Sequence, residues 1–280
     1  MAPNLSKPFT PIYGRKWGGY SNEVGELDLL QGDVVLLGKM AAVNIPQDYY
    51  FLGPKNARYI PEAIWGNPDD TSIVGMIFPK PATLFDESSW AITLTYDNIG
   101  YVSDANAEGY DYTDLLKTIQ QDVIDENDWR LKNGLGKVEL LGWAKEPHYD
   151  KVGCKLYWAK TLHFDGEPKH PLNYNICAFC RKGVLIINFI ADADQLSEIE
   201  AAAHTVMKMV SFTTGNTYAD YISGANTFAA VGIGGLIAGK VLANTGMLLL
   251  ALAFLKKGTV LIVLPLIRLK NKLFGKRPES

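Results

Sequence analysis

Cysteine is scarce in this chain: Cys154, Cys177 and Cys180 are the only three among 280 residues. Three thiols cannot all pair within one chain, so no disulfide framework is expected and the redox compartment stays open. Residues 1–25 carry Lys7, Arg15 and Lys16 but lack an apolar run of secretory-leader length. A cytoplasmic domain and a leader lying further upstream both fit that absence. Also missing are a G-x-S-x-G elbow and a nucleophile cysteine beside a base. Gly232, Gly234, Gly235 and Gly239 do not form a dinucleotide loop, because Ile237 stands where the third glycine belongs and no Lys-Ser/Thr follows. No reaction can be read from these residues, and no cofactor or metal is expected.

What is present divides sharply by charge. Residues 1–225 hold 19 Lys/Arg and 29 Asp/Glu, a net −10, whereas residues 226–280 hold 8 Lys/Arg and one acid, Glu279, a net +7. The overall −3 therefore conceals an acidic domain joined to a basic, apolar tail. The acidic part repels a phosphate backbone, so nucleic acid is not an expected partner. Basic charge beside long apolar runs points instead to an anionic lipid surface.

The organising stretch is 137–191. It reads as four successive strands, Lys137–Ala144, Cys154–Phe164, Leu172–Cys180 and Gly183–Ile190. Only Arg181-Lys182 separates the last two, with Gly183 able to take positive φ, so a tight antiparallel hairpin is expected there. Upstream, Asp33–Leu37, Met40–Ile45, Tyr49–Leu52, Ser72–Phe78 and Trp90–Tyr96 have strand composition. Trp90, Ile92, Leu94 and Tyr96 alternate with Ala91, Thr93 and Thr95, the period of a half-buried strand. Lys55–Trp65 reads as a short helix despite Pro61, closed by a turn at Gly66-Asn67-Pro68.

A helix capped by Asp111 or Thr113 and running to about Lys132 would bury Leu115, Leu116, Ile119, Val123 and Trp129, with Gln120, Asp122, Asp125 and Glu126 outward, ending at Asn133-Gly134. A later helix spans about 194–210. Strands first and last with helices between, not in βαβ alternation, predict an α+β domain: a mostly antiparallel sheet packed against helices. The expected division is a flexible arm at 1–23, the α+β domain at 24–225 and a membrane-embedded helical tail at 226–280.

Phe228–Leu255 is 28 residues with a single charge, Lys240. As a straight helix that is roughly 42 Å, against a hydrocarbon core of about 30 Å. Lys256-Lys257-Gly258 interrupts, Thr259–Ile267 is apolar again, and Arg268, Lys270, Lys272, Lys276 and Arg277 follow. Two layouts compete. One helix within Phe228–Leu255 can span, with Thr259–Phe274 lying in the interface. Alternatively, Phe228–Ala243 and Met247–Ile267 form a hairpin, at a cost of about 2.5–3.5 kcal/mol for each lysine at the centre of the second helix. The first is cheaper in charge and, with its basic end inside, puts the acidic domain on the outer side. In either layout Gly235-x-x-x-Gly239 offers a small face for close helix packing. A buried soluble hairpin is the bland alternative.

Candidate chemistry is thin. Cys177-x-x-Cys180 invites a metal or redox reading, but residues three apart on a strand point to opposite faces. Glu146-Pro147-His148-Tyr149-Asp150, placed in a loop, sets a general base beside a carboxylate, and a hydrogen-bonded turn accounts for it as well. Asn173-Tyr174-Asn175 can take a polar ligand or simply satisfy backbone groups. Trp143 and Trp158 sit on adjacent predicted strands and can meet on one face, as core or as an aromatic groove. With Arg181, the candidate binding surface is Trp143, His148, Tyr149, Asp150, Trp158, Asn173, Tyr174 and Arg181.

Several blocks in order give the chain a family likeness: Ile64-Trp65-Gly66-Asn67-Pro68, Gly75-Met76-Ile77, Tyr96-Asp97 and Gly100-Tyr101-Val102, then Gly142-Trp143-Ala144 and Pro147-His148-Tyr149-Asp150. Leu156-Tyr157-Trp158-Ala159, Leu172-Asn173-Tyr174-Asn175, Arg181-Lys182-Gly183-Val184-Leu185 and Tyr218-Ala219-Asp220 continue it. From about residue 30 onward the chain resembles the bacterial, predicted membrane-anchored proteins of domain of unknown function 2167. Two departures stand out: members often begin with a secretory signal, and their hairpin reads Leu-Gly-Arg where this chain has Phe179-Cys180-Arg181. That resemblance implies anchoring in a bacterial inner membrane and brings no chemistry. A fainter likeness to the extrinsic photosystem II subunit fold implies partner binding, by fold analogy alone. The expected function is a membrane-anchored binding module at the bacterial envelope, with the bilayer and another membrane or envelope protein as partners. The alternatives are a hydrolase-like envelope enzyme using His148 and Asp150, and an accessory subunit of a membrane complex.

Overall fold

The computed structural model describes residues 10–12, 28–61, 70–80, 89–107, 109–132, 136–165 and 169–239. The expected arm apart from Thr10–Ile12, the turn at 66–68, the Asn133-Gly134 helix stop and the tail from Lys240 lie outside the described residues.

Eleven strands make one sheet. The first six are β1 (Thr10–Ile12), β2 (Leu29–Leu36), β3 (Ala41–Ile45), β4 (Tyr49–Leu52), β5 (Ile73–Pro79) and β6 (Ala91–Asp97). They are followed by β7 (Val138–Asp150), β8 (Lys155–Phe164), β9 (Pro171–Cys180), β10 (Gly183–Asp192) and β11 (Val210–Phe212). Their order is β11-β3-β2-β4-β5-β6-β10-β9-β8-β7, with β1 added beside β2. All these pairings are antiparallel. With helices α1 (Pro54–Tyr59), α2 (Tyr112–Lys132), α3 (Leu196–Met209) and α4 (Ile233–Ala238), the fold is α+β.

The four-strand run forms as a meander, β10-β9-β8-β7, because its connections are short. Gly183 pairs with Cys180 within strand β10, and close approach is what demands glycine there. A Cβ at that position would stand 2.0 Å from the Asp97 carbonyl oxygen. Strand β7 runs on to Asp150, so the expected 146–150 loop is strand. Pro147 is tolerated because β7 is an edge strand and its register shifts between Lys145 and His148. Strand β6 is covered on both faces rather than half-buried, since it lies between β5 and β10 in the middle of the sheet.

Alternation divides the apolar residues between two faces. On one, α3 lays Ile199, Ala202, Ala203, Val206 and Met209 over Ile92, Leu94, Tyr174, Ile176, Ile187 and Phe189. Its start is fixed by a capping box, Asp192 with Gln195. On the other face are two separate cores. Helix α2 buries Leu115, Ile119 and Val123 against Leu140, Leu156, Trp158, Leu162 and Phe164. Near α1, Ala57 and Ile60 pack with Leu52, Met76, Phe78, Ala91 and Ile190.

The buried stripe of α2 continues through Glu126 and Arg130, while Trp129, expected inward, is exposed. The steps 115, 119, 123, 126, 130 follow the helical period, and Arg130 repays its burial by donating from Nε to the Gly136 carbonyl at 2.9 Å. The Asp111 carboxylate caps α2 by accepting from the Asp114 N–H at 2.9 Å.

Of the expected tail, 226–239 is described, and it belongs to the second core. Helix begins at Ile233, not Phe228, and stops at Ala238, because Gly232 is extended and Gly239 is left-handed at φ 77°. Gly239 is a helix stop of the usual C′ kind. Ile233, Leu236 and Ile237 are buried beside α2, and Gly234 lies close against the Tyr110 ring. Among the described residues no helix is long and apolar enough to cross a membrane.

Candidate functional site

The two cores on the α2 side do not merge. Between them the central strands carry polar residues where apolar ones would be expected. Cross-strand register places Trp158 (β8), Asn175 (β9), Asn188 (β10) and Thr93 (β6) side by side in one row. The adjacent row is Trp143 (β7), Lys160 (β8), Asn173 (β9) and Ile190 (β10). Directly paired residues on one face are about 4.5–5.5 Å apart at Cβ, so these side chains form a continuous polar seam.

The seam is buried and only partly satisfied. Trp158 is 4% exposed, Asn173 3% and Asn188 5%. Asn175 donates from Nδ2 to the Asn173 backbone carbonyl at 3.3 Å. Trp158 Nε1, Asn173 Oδ1 and Asn188 Oδ1 are closed off from solvent with no hydrogen-bond partner among the described residues. An orphan of this kind costs about 1–3 kcal/mol in uncompensated desolvation. Three on adjacent strands of one face is a concentration that packing alone does not call for.

Lys160 supplies the charge. Its Nζ donates to the Ile237 carbonyl at 2.9 Å, tying α4 down over the seam. Burial pushes its pKa down to about 8, because water is removed from the ammonium. Trp143, beside it, is already committed: its Nε1 donates to the Tyr112 carbonyl at 3.2 Å and fixes the start of α2. Trp143 and Trp158 do share one face and one core, as adjacent strands allowed.

The other candidates go elsewhere. Tyr174 points to the opposite face and packs edge-on against Phe189 in the α3 core. His148 is exposed on the edge strand opposite Tyr157. Asp150 is occupied in the turn, its Oδ1 accepting the N–H groups of Val152 and Gly153 at 3.0 Å each. Tyr149 turns inward, donating its hydroxyl to Asp104 Oδ2 at 2.8 Å. Burial and that carboxylate push the Tyr149 phenol well up.

Arg181 is a clamp, with Nε on Asn226 Oδ1 at 3.1 Å and a second nitrogen on the Gly215 carbonyl at 3.2 Å. It holds the 213–228 segment, in which Tyr218 and Tyr221 stack on Tyr101 at 4.5 and 4.1 Å. His148, Asp150 and Arg181 are thus not brought together as an acid–base set. Cys177 lies in the α2-side core, while Cys180 on the opposite face meets the Gly183 carbonyl at 3.2 Å. Burial raises both thiols. Among the described residues no group of three His, Cys, Asp or Glu is placed to hold a metal.

Asn188, Lys160 and Thr93 are the seam residues that sequence reasoning passed over. Their signal was present: a two-residue turn at 181–182 sets Asn175 opposite Asn188, and an asparagine inside Gly183–Ala191 interrupts an otherwise apolar run.

Fold and seam together define an α+β protein built on one long antiparallel sheet, with a buried polar site on its central strands. The chain matches the family model described as protein of unknown function (DUF2167) over residues 29–267, and it belongs to that family. No curated protein matches it. Among solved structures, cyanobacterial PsbP (CyanoP) from Synechocystis sp. PCC 6803 is similar at 13% identity and a TM-score of 0.35, over 71% of this chain and 98% of that one. The Saccharomyces cerevisiae Ran-binding protein Mog1p is similar at 10% identity and a TM-score of 0.35, over 66% of this chain and 96% of that one.

Proposed function

We propose that this protein is a binding module held at the bacterial envelope membrane by residues 240–280, and that it receives a small polar ligand in the seam. One observation carries the binding part: three buried polar atoms, Trp158 Nε1, Asn173 Oδ1 and Asn188 Oδ1, lie on neighbouring strands with no hydrogen-bond partner among the described residues. A protein keeps so costly an arrangement where function repays it. Support for the tether is the composition of 240–280, whose apolar stretches are interrupted by Asn244-Thr245-Gly246 and Lys256-Lys257-Gly258 and are followed by five basic residues. Such a basic flank stays on the cytoplasmic side, which places the acidic domain outside if the tail crosses once.

Native mass spectrometry of the full chain, purified in mild detergent, tests the binding part. A co-purifying small-molecule adduct is expected on the wild type and is lost from Asn188→Leu. A clean apo mass for the wild type, with unchanged masses after incubation with cell extract metabolites, would remove it. Detergent-free fractionation tests the tether: full-length chain in the membrane pellet is expected, and full-length chain in the supernatant overturns it.

A further inference from the structure

The seam also carries information about the chemistry of its ligand. Lys160 is its one charged group, and the partner it has is a neutral carbonyl. Neither ion pair found among the described residues involves it; these join Lys145 to Glu200 and Lys169 to Asp192. Lys160 is half-buried, and an ammonium so placed keeps an unneutralised charge whose desolvation cost an arriving anion offsets. Two residues along the same strand and on the same face, the Trp158 indole N–H is a donor with no acceptor among the described residues. Amide oxygen and nitrogen are interchangeable by a flip of the side chain, so Asn173 and Asn188 can each present an NH2 group instead of the orphaned oxygen. Flipped, they make the seam a set of one cation and three neutral donors spread over β8, β9 and β10.

We propose that the seam binds the carboxylate or phosphate group of a small anion, held by Lys160, the Trp158 N–H and the side-chain amides of Asn173 and Asn188, with α4 as its lid. This rests on the binding reading above and names its ligand class. A cation is repelled by Lys160, and a neutral ligand leaves its charge unmatched.

Entry requires α4 to lift, and the geometry shows what it must give up: one hydrogen bond from Lys160 and the packing of Ile233, Leu236 and Ile237. The incoming anion takes over the Lys160 donor that the Ile237 carbonyl releases. Gly239, left-handed and directly after the lid, is where the chain passes toward the apolar 240–280 segment. The anion can be free in solution or the head group of a lipid.

The test follows the Trp158 indole N–H by nitrogen–proton NMR on the full chain in neutral detergent, assigned by its absence in Trp158→Phe. Sodium phosphate, sodium acetate and trehalose are titrated against sodium chloride at matched ionic strength. A saturable shift with phosphate or acetate is expected, weakened about tenfold or more in Lys160→Gln, which keeps a donor for Ile237 but removes the charge. Asn188→Leu, expected to weaken the same shift, serves if the lysine variant does not fold. Nanodiscs of phosphatidylglycerol compared with phosphatidylcholine separate the sources: a shift in the former without added salt supports a lipid head group. A shift with trehalose alone overturns the anion assignment and leaves the binding reading standing. No shift in any arm, or equal shifts in Lys160→Gln, overturns the proposal.

Discussion

Asn175 on β9 stands directly opposite Asn188 on β10, yet Asn175 gives its amide hydrogen to the Asn173 backbone and Asn188 Oδ1 has no partner among the described residues. Two asparagines paired at the centre of a sheet would ordinarily satisfy each other or be replaced by aliphatics. Here the pair sets a polar position between two apolar cores.

Replacing Asn188 by leucine should therefore stabilise the ligand-free protein. The change removes an orphaned acceptor worth about 1–3 kcal/mol of desolvation and adds an apolar side chain of similar volume beside Ile186 and Ile190. Thermal unfolding reads this as a rise in Tm of about 2–4 °C for each kcal/mol recovered. A lower Tm than wild type would mean that Asn188 is satisfied in solution.

The sheet was legible because its signals are local. Tyr49–Leu52 matches β4 residue for residue, and the 181–182 turn sets the register of every β9–β10 pair. The site was less so, because it depends on which residues share a face across strands distant in sequence. Asn173 and Trp158 were legible as polar or aromatic residues on adjacent strands. Lys160 was not, since a lysine within a strand reads as a solvated position until α4 is laid over it. Glu126 misled for the same reason: charge reads as surface, but helical period carries it under α2. Pro147 read as a loop signal, and only the edge position of β7 makes it strand.

Two glycines separate close approach to backbone from close approach to a side chain. In Gly183→Ala the new Cβ meets the Asp97 carbonyl at 2.0 Å, so β6 and β10 must part, at a cost of about 1–3 kcal/mol or more. In Gly234→Ala it meets the hydroxyl end of Tyr110, an exposed side chain able to rotate away. Urea unfolding should show a lower midpoint for the first and a change within about 0.5 kcal/mol for the second. Equal losses would show that Tyr110 is held rigidly against α4.

Arg181→Ala should loosen one end of the sheet without unfolding it. The side chain bonds Asn226 and the Gly215 carbonyl, so its removal frees the 213–228 segment from the β9–β10 turn. The expected cost is about 1.5–3 kcal/mol for a charged hydrogen-bonding group, felt locally. Hydrogen exchange should accelerate in 213–228 and stay unchanged in β9 and β10. Uniform acceleration would assign Arg181 to global stability instead.

Lys160 sets a pH dependence whose sign can be worked out. Folding lowers its pKa from 10.5 to about 8. Below pH 8 both states are protonated, and the folded chain bears the desolvation cost of that charge. Between about 8 and 10.5 the unfolded chain binds more protons, so this group makes stability rise with pH, by about 1.4 kcal/mol per unit crossed. Other groups work the opposite way. Cys177 and Cys180 are held above 9.0, and Tyr149 and Tyr218 above 10.0, so they erode stability as pH passes those values. Wild-type data alone therefore mix several slopes, and a difference curve is needed. Lys160→Met removes the charge and, at a fixed cost independent of pH, the bond to Ile237. Trp143, Asn173 and Ile237, which surround the lysine, do not titrate in this range. The stability of the variant relative to wild type should accordingly be greatest below pH 8 and fall steadily toward pH 10.5. A difference that stays flat from pH 7 to 10.5 would show that Lys160 is hydrated, and that α4 does not seal the seam.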